Sequence, residues 1–208
     1  MIMTFQQDLT EKLQGPLPGR AAHLKMASGI RRIYKEAPKD ARIACVLALL
    51  YQKNEEWHIV LTERTSSNPN DQHKGQVSFP GGKLEASDES FEAAAVRETE
   101  EEIGVNRGDI QILGRLTDLY IPVSNFLVHP FVGILDYPPV FVKQEEEVAS
   151  IFEVPLSELT NAENRKEKDL NVSDNLVMKR VPYFDLEGYT VWGATAMMLS
   201  ELIEVLKG

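Results

Sequence analysis

The sequence predicts an α/β protein, a mixed β-sheet sandwiched between helices. Three observations carry this. The nearly continuous apolar run Ile43 to Leu50 marks a strand covered on both faces. Strand-like and helix-like segments then alternate along the chain, with no internal repeat and no low-complexity tract, which predicts a sheet with helices on both faces. At 208 residues and 43% hydrophobic, the chain suffices for one well-formed core, or a core with a small appendage.

Taken in order, residues 4–14 read as a short amphipathic helix with Phe5, Leu9 and Leu13 on one face and Thr4 as N-cap. Pro16-Leu17-Pro18-Gly19 breaks it, and a second polar–apolar segment covers 21–36. Residues 1–40 are thus an N-terminal helical extension packed on a main domain, 41–208. Arg42 to Tyr51 is the buried strand, 53–56 a turn and Trp57 to Glu63 the returning strand of a hairpin. A polar loop spans 65–74, and a short strand, Gln76 to Phe79, runs into Pro80-Gly81-Gly82. After a helix ending near Val105, strands are expected at 110–120 and 127–135, a loop at 136–147, and a short helix at 155–160. An exposed loop follows at 161–175, then a hairpin of 181–185 with 189–192 and a closing helix, 193–206, that offers Met197 and Met198 for packing.

Composition excludes several classes. A net charge of −10 and a pI near 5.0 argue against non-specific binding to nucleic acid or anionic membrane. No run approaches the ~18 apolar residues of a membrane span. The N-terminus lacks a basic, then apolar, leader pattern. Cys45, the single cysteine, sits inside the apolar run and reads as core filler, in keeping with a reducing compartment. These features predict a soluble, cytoplasmic protein. The role of residues 1–40 and a homodimer are left open.

One stretch does not fit a bland surface helix. In Arg97-Glu98-Thr99-Glu100-Glu101-Glu102-Ile103-Gly104-Val105, Glu98 shares a helical face with Glu101 and Glu102 at i+3 and i+4. Like charges at that spacing destabilise an isolated helix, and clustered carboxylates suit hard divalent cations. His73 has no second His or Cys at metal-ligand spacing and reads as a loop residue.

The stretch Gly82 to Val105 resembles the Nudix box, a glycine, an upstream glutamate and then Arg-Glu-x-x-Glu-Glu-x-Gly; the match over Arg97–Val105 is complete. It is one residue longer than the generic box, so the upstream acid is Glu89 or Asp88. Leu61-Thr62-Glu63-Arg64, Gly75-Gln76-Val77-Ser78-Phe79-Pro80-Gly81-Gly82, Glu146-Glu147-Val148, Val154-Pro155-Leu156 and Trp192-Gly193-Ala194-Thr195 are similar to the coenzyme A diphosphatase branch of Nudix hydrolases. That branch's second arginine between Arg64 and Gly75 is absent here; the longer loop offers His73 and Lys74.

The resemblance implies a Nudix-fold α/β/α sandwich and an Mg²⁺- or Mn²⁺-dependent hydrolase acting on a small-molecule nucleotide. Implied metal ligands are Glu98, Glu101, Glu102 and the Gly82 carbonyl. Arg97 is implied to pair with neighbouring carboxylates and hold their orientation. Glu101 and Glu147 are alternatives for the general base. Arg64, Gly81 and Phe79 form the substrate-binding set, although Phe79 and Trp192 also read as core aromatics. Coenzyme A, cleaved to phosphopantetheine and adenosine 3′,5′-bisphosphate, is the first substrate expected. ADP-ribose or a dinucleotide is the alternative. A nucleotide-binding domain that no longer hydrolyses is the alternative of another class, but such domains commonly lose a box glutamate and this chain keeps them.

Overall fold

The computed structural model describes residues 3–29, 36–65, 75–173 and 176–208. Thr4 caps α1 (Phe5–Gln14): its hydroxyl accepts from the Gln7 N–H, and the Gln7 side chain accepts from the Thr4 N–H. Such a reciprocal cap stabilises a helix start by about 1 kcal/mol. The inner face of α1 buries Leu9 and Leu13, and Phe5 stacks on Trp57 with centroids 4.3 Å apart. Gly19, at φ +54, opens α2 (Gly19–Lys25). Of the segment expected over 21–36, residues 21–25 belong to α2, and 30–35 lie outside the described residues.

The main sheet is built on β1 (Arg42–Lys53). Asn54 and Glu55 both have positive φ, the backbone of a tight hairpin turn, and return the chain as β2 (Glu56–Arg64). Next come β3 (Val77–Ser78), β4 (Gly81–Lys83), β5 (Gln111–Arg115), β6 (Leu119–Ile121), β7 (Phe126–Ile134) and β8 (Val148–Pro155). The spine of the sheet runs β3-β2-β1-β7-β5, with β4 on β1, β6 on β7 and β8 on β2. β1 and β7 pair in parallel, and β1 with β2 antiparallel, so the sheet is mixed as predicted. A second, antiparallel sheet comprises β9 (Arg165–Ser173), β10 (Leu176–Leu186) and β11 (Tyr189–Trp192).

Alternation along β1 divides the core. Cys45, Leu47, Leu49 and Tyr51 face α3 (Phe91–Ile103) and cluster with Ala94, Ala95 and Ile103. Ala48 and Leu50 face the other way, into a larger core shared with Leu9, Leu13, Phe184 and the Leu199–Leu202 stretch of α5 (Gly193–Lys207). Helices therefore cover both faces. Among the described residues no helix is long and apolar enough to cross a membrane.

Three expectations are corrected. The strand expected over 110–120 is interrupted: the Leu116 N–H turns to Pro130 O, Thr117 reaches α5, and pairing resumes at Leu119. The loop expected over 161–175 instead contains a short 3-10 turn and β9. Its charged side chains are compatible with an edge strand because the ladder to β10 is made by backbone groups. β8, not expected as a strand, pairs with β2 from His58 to Arg64. Of the loop expected at 65–74, 66–74 lie outside the described residues, and His73 with them.

Candidate active site

The helix α3 carries the acidic stretch, and its ends are defined locally. The Ser90 hydroxyl accepts from the Ala93 N–H at the start, and Gly104, at φ 72, provides the left-handed residue that ends it. Its inner residues then cross the sheet strand by strand. Phe91 stacks on His129 of β7 at 4.2 Å, and the His129 ring is held by Asp118, Nδ1 to Oδ1 at 2.9 Å. Ala94 and Ala95 pack in the cluster of Cys45 on β1. Glu98 lies against Gly82 of β4, and the Gly81 N–H donates to the Glu102 carboxylate at 3.1 Å.

The two glycines are required by this approach. A Cβ at Gly82 would stand 2.4 Å from the Glu98 carboxylate. A Cβ at Gly81, where φ is +146, would stand 2.4 Å from the carbonyl oxygen of Cys45. Only at Gly81 is the obstacle fixed backbone.

Arg97 is a hub for acids. It donates from Nε and Nη2 to the two oxygens of Asp88, at 2.8 and 2.9 Å, and from Nη1 to Glu98 and Glu101, each at 3.0 Å. A further bond runs from Nη2 to Lys83 O at 3.3 Å. Asp88, rather than the exposed Glu89, thus takes the arginine, and the guanidinium holds its carboxyl below the usual range. Glu101 is turned outward, its side chain 54% exposed.

The opposite wall is the turn leading into β8. Val142 N–H and Gln144 N–H donate to the carbonyls of Ile103 and Glu102, at 2.9 and 3.0 Å, tying this loop to the end of α3. The Glu147 carbonyl accepts from the Thr65 N–H at 2.8 Å, next to Arg64 at the end of β2. Glu147 and Arg64 both act electrostatically on Glu102. Burial, followed by the charges of Glu98 and Glu147, lifts Glu102 to about 7 despite the Gly81 bond and Arg64. Burial also raises Glu98, with Arg97 opposing and Glu101 and Glu147 adding to the rise. The fold therefore gathers Glu98, Glu102, Glu147, Arg64, Gly81 and Gly82, with Arg97 and Glu101 at the edge. Phe79 is corrected: its ring is 0% exposed and belongs to the core, so it offers no surface to a substrate.

Among the described residues no three Asp, Glu, His or Cys side chains are already drawn together as a metal cage. The donor set nevertheless fits a hard divalent cation. The buried Glu102 and the half-buried Glu98 repel one another, and the amide oxygen of Gln144, rooted beside Glu102, is buried without a hydrogen-bond partner. Gln144 has no signal in the sequence, since its placement comes from a backbone bond across 42 positions of chain.

The NUDIX domain model matches residues 41–176, which include this whole site. The chain belongs to the Nudix hydrolase family. It is 36% identical over 146 residues to an uncharacterized Nudix hydrolase, NudL, of Photorhabdus laumondii subsp. laumondii, covering 70% of this chain and 75% of that protein. It is 37% identical over 163 residues to NudL of Enterobacter sp. strain 638, covering 78% and 82%. Among solved structures, the Nudix hydrolase RenU from M. smegmatis has a TM-score of 0.56 at 17% identity, over 80% of this chain and 86% of that one. A MutT/nudix family protein from Enterococcus faecalis has a TM-score of 0.53 at 12% identity, over 100% and 76%. These two likenesses establish the Nudix fold. Nudix hydrolases generally use Mg²⁺ or Mn²⁺ and act on small nucleotide derivatives.

Proposed function

We propose that this Nudix hydrolase cleaves the diphosphate linkage of a nucleoside diphosphate derivative, with coenzyme A as the first candidate. The observation that supports it most is the acid face of α3 meeting Gly81 and Gly82, with Glu147 on the loop across from it. Carboxylates and a diphosphate repel one another, so divalent cations held on this face would supply the positive charge that a diphosphate needs there.

Glu98 and Glu102, with Glu101 and the Gly82 carbonyl, would hold Mg²⁺ or Mn²⁺. The bound cation would neutralise the diphosphate and lower the pKa of a coordinated water. Arg97, clamped by Asp88, keeps Glu98 turned toward Gly82. Arg64 places a positive charge beside Glu102, where a phosphate oxygen would lie. We assign the general base to Glu147, because Glu101 is already engaged by Arg97 whereas Glu147, on the loop before β8, is close enough for its charge to act on Glu102. Water adds to one phosphorus, its proton passes to Glu147, and the bridging oxygen leaves with the other phosphate. For coenzyme A the products are phosphopantetheine and adenosine 3′,5′-bisphosphate.

Similarity of Gly75–Gly82 and Glu146–Val148 to the coenzyme A branch supports that substrate, and ADP-ribose remains the alternative. Both should be assayed with Mg²⁺ and with Mn²⁺. A higher kcat/KM for coenzyme A is expected; the reverse order would transfer the assignment to ADP-ribose.

A further inference from the structure

On the face of the main sheet opposite α3 lies a cavity of about 260 Å³, lined by residues that the acid site does not use. Its floor is apolar and buried: Leu159, Phe184 and Ile203. Its rim carries three cations from three separate elements, Lys25 of α2, Arg165 of β9 and Lys207 of α5. Among the described residues Glu204 is the one acid on the lining, and it pairs with Lys25 at 2.9 Å. Three positive charges against one negative leave a local excess of two, in a chain whose net charge is −10.

The frame is tied together before any ligand arrives. Arg165 Nη2 donates to the Lys25 carbonyl at 2.9 Å, and the Ser200 hydroxyl on α5 donates to the Ala22 carbonyl of α2 at 2.9 Å. Lys25, Phe184, Ile203, Glu204 and Lys207 all fall outside the 41–176 domain match. The cavity thus joins residues inside that match, Leu159 to Arg165, to residues of α2, β10 and α5 outside it.

We propose that this cavity binds a small amphiphilic anion, a carboxylate or phosphate monoester on a compact apolar body. The apolar floor would take the body, and Arg165 and Lys207 the anionic head. The volume lies below the ~300 Å³ at which drug-sized sites begin, which limits the ligand to roughly one ring and its head group. Ligands of that size reach dissociation constants of about 0.1–1 mM, and an exposed basic rim makes binding weaken with salt.

Phenyl phosphate serves as probe, titrated into the full chain in EDTA so that no cation bridges it to the acid site. Saturable binding is expected, with phenol and inorganic phosphate each at least tenfold weaker because each lacks one half of the ligand. Lys207→Glu and Arg165→Glu reverse rim charges at exposed positions and should each weaken binding fivefold or more. Ala162→Phe should block the mouth without changing charge, and so reduce binding while the salt dependence of the remainder stays as in wild type. No binding up to 10 mM (roughly ten times the weak end of that range), equal binding of inorganic phosphate, or wild-type affinity in all three variants would overturn the proposal.

Discussion

Arg97 clamps Asp88 at two points, Nε to Oδ1 at 2.8 Å and Nη2 to Oδ2 at 2.9 Å, and with its remaining nitrogen holds Glu98 and Glu101. The arginine at the start of the acidic stretch is thus anchored by an acid nine residues before it. Asp88→Ala should free the guanidinium and let Glu98 move from Gly82. Losing such a supporting partner lowers activity by about 10–100-fold. Nε and Nη2 would lose their Asp88 acceptors on a side chain only 16% exposed, which should also cost on the order of 1–3 kcal/mol. Glu89→Gln should leave both rate and melting temperature unchanged, since Glu89 is exposed. The opposite pattern in the two variants would show that Glu89, not Asp88, supports Arg97.

Gly81 and Gly82 should fail differently when given a side chain. At Gly82 the added Cβ meets the end of Glu98, which can swing away. Gly82→Ala should therefore fold near normally but lose most activity. At Gly81 the added Cβ meets the Cys45 carbonyl and the Val46 Cα, and the backbone there has positive φ. Gly81→Ala should lower the melting temperature by several degrees, at roughly 2–4 °C per kcal/mol for a chain of this size. Thermal melts beside initial rates check both, and equal melting points for the two variants would contradict the reading.

How much of this was legible beforehand depended on range. The Thr4 cap, the β1–β2 hairpin and α3 follow from patterns within one turn or one strand, and the structure has them. The charged β9 was hidden because charged side chains suggest a loop while the backbone ladder to β10 decides the matter. The break after Arg115 was hidden for another reason. Thr117 leaves the strand to donate to Glu201, a partner 84 positions away that no local window contains. In the site, the order of α3 carboxylates was readable from helical spacing, and Phe79 also read as a core aromatic; the choice of Asp88 over Glu89 and the position of Gln144 were not readable, since each depends on where other strands pass.

Glu201 gives the fold an acid-sensitive joint. It is 0% exposed and accepts from the Gly19 N–H at 3.0 Å and from Thr117 Oγ1 at 2.6 Å, with His23 Nε2 2.8 Å away. Burial alone would raise this carboxyl, but the bonds from His23 and Thr117 outweigh it and hold it below its ordinary value of 4.5. A lowered folded pKa gives stability that is present above about 4.5 and lost as pH falls through the folded value. Glu201→Gln should therefore melt lower than wild type at pH 7, and the gap should close in acid below that range. A gap independent of pH would remove the ionised form from the account.

Cys45 is 0% exposed, and burial, helped by the charges of Asp88 and Glu98, pushes its thiol up to about 12. The thiolate is the reactive form. In native protein at pH 8 a disulfide reagent should titrate no thiol over minutes, and one thiol after denaturation. Fast native labelling would mean that the sheet between β4 and β7 opens on that timescale.

The central claim is that the acid face of α3 performs metal-dependent hydrolysis of a diphosphate. Its most direct test is coenzyme A hydrolysis with Mn²⁺, products resolved, in wild type and in Glu102→Gln. Glutamine keeps the shape and an oxygen for the Gly81 N–H, which is 3.1 Å away, while removing the charge. Wild type should release phosphopantetheine and adenosine 3′,5′-bisphosphate, and stop when the cation is chelated. Glu102→Gln should be slower by about 10²-fold or more at unchanged fold, in line with the loss of one group that acts on developing charge. Wild-type turnover in Glu102→Gln, or undiminished turnover in excess chelator, would contradict the account.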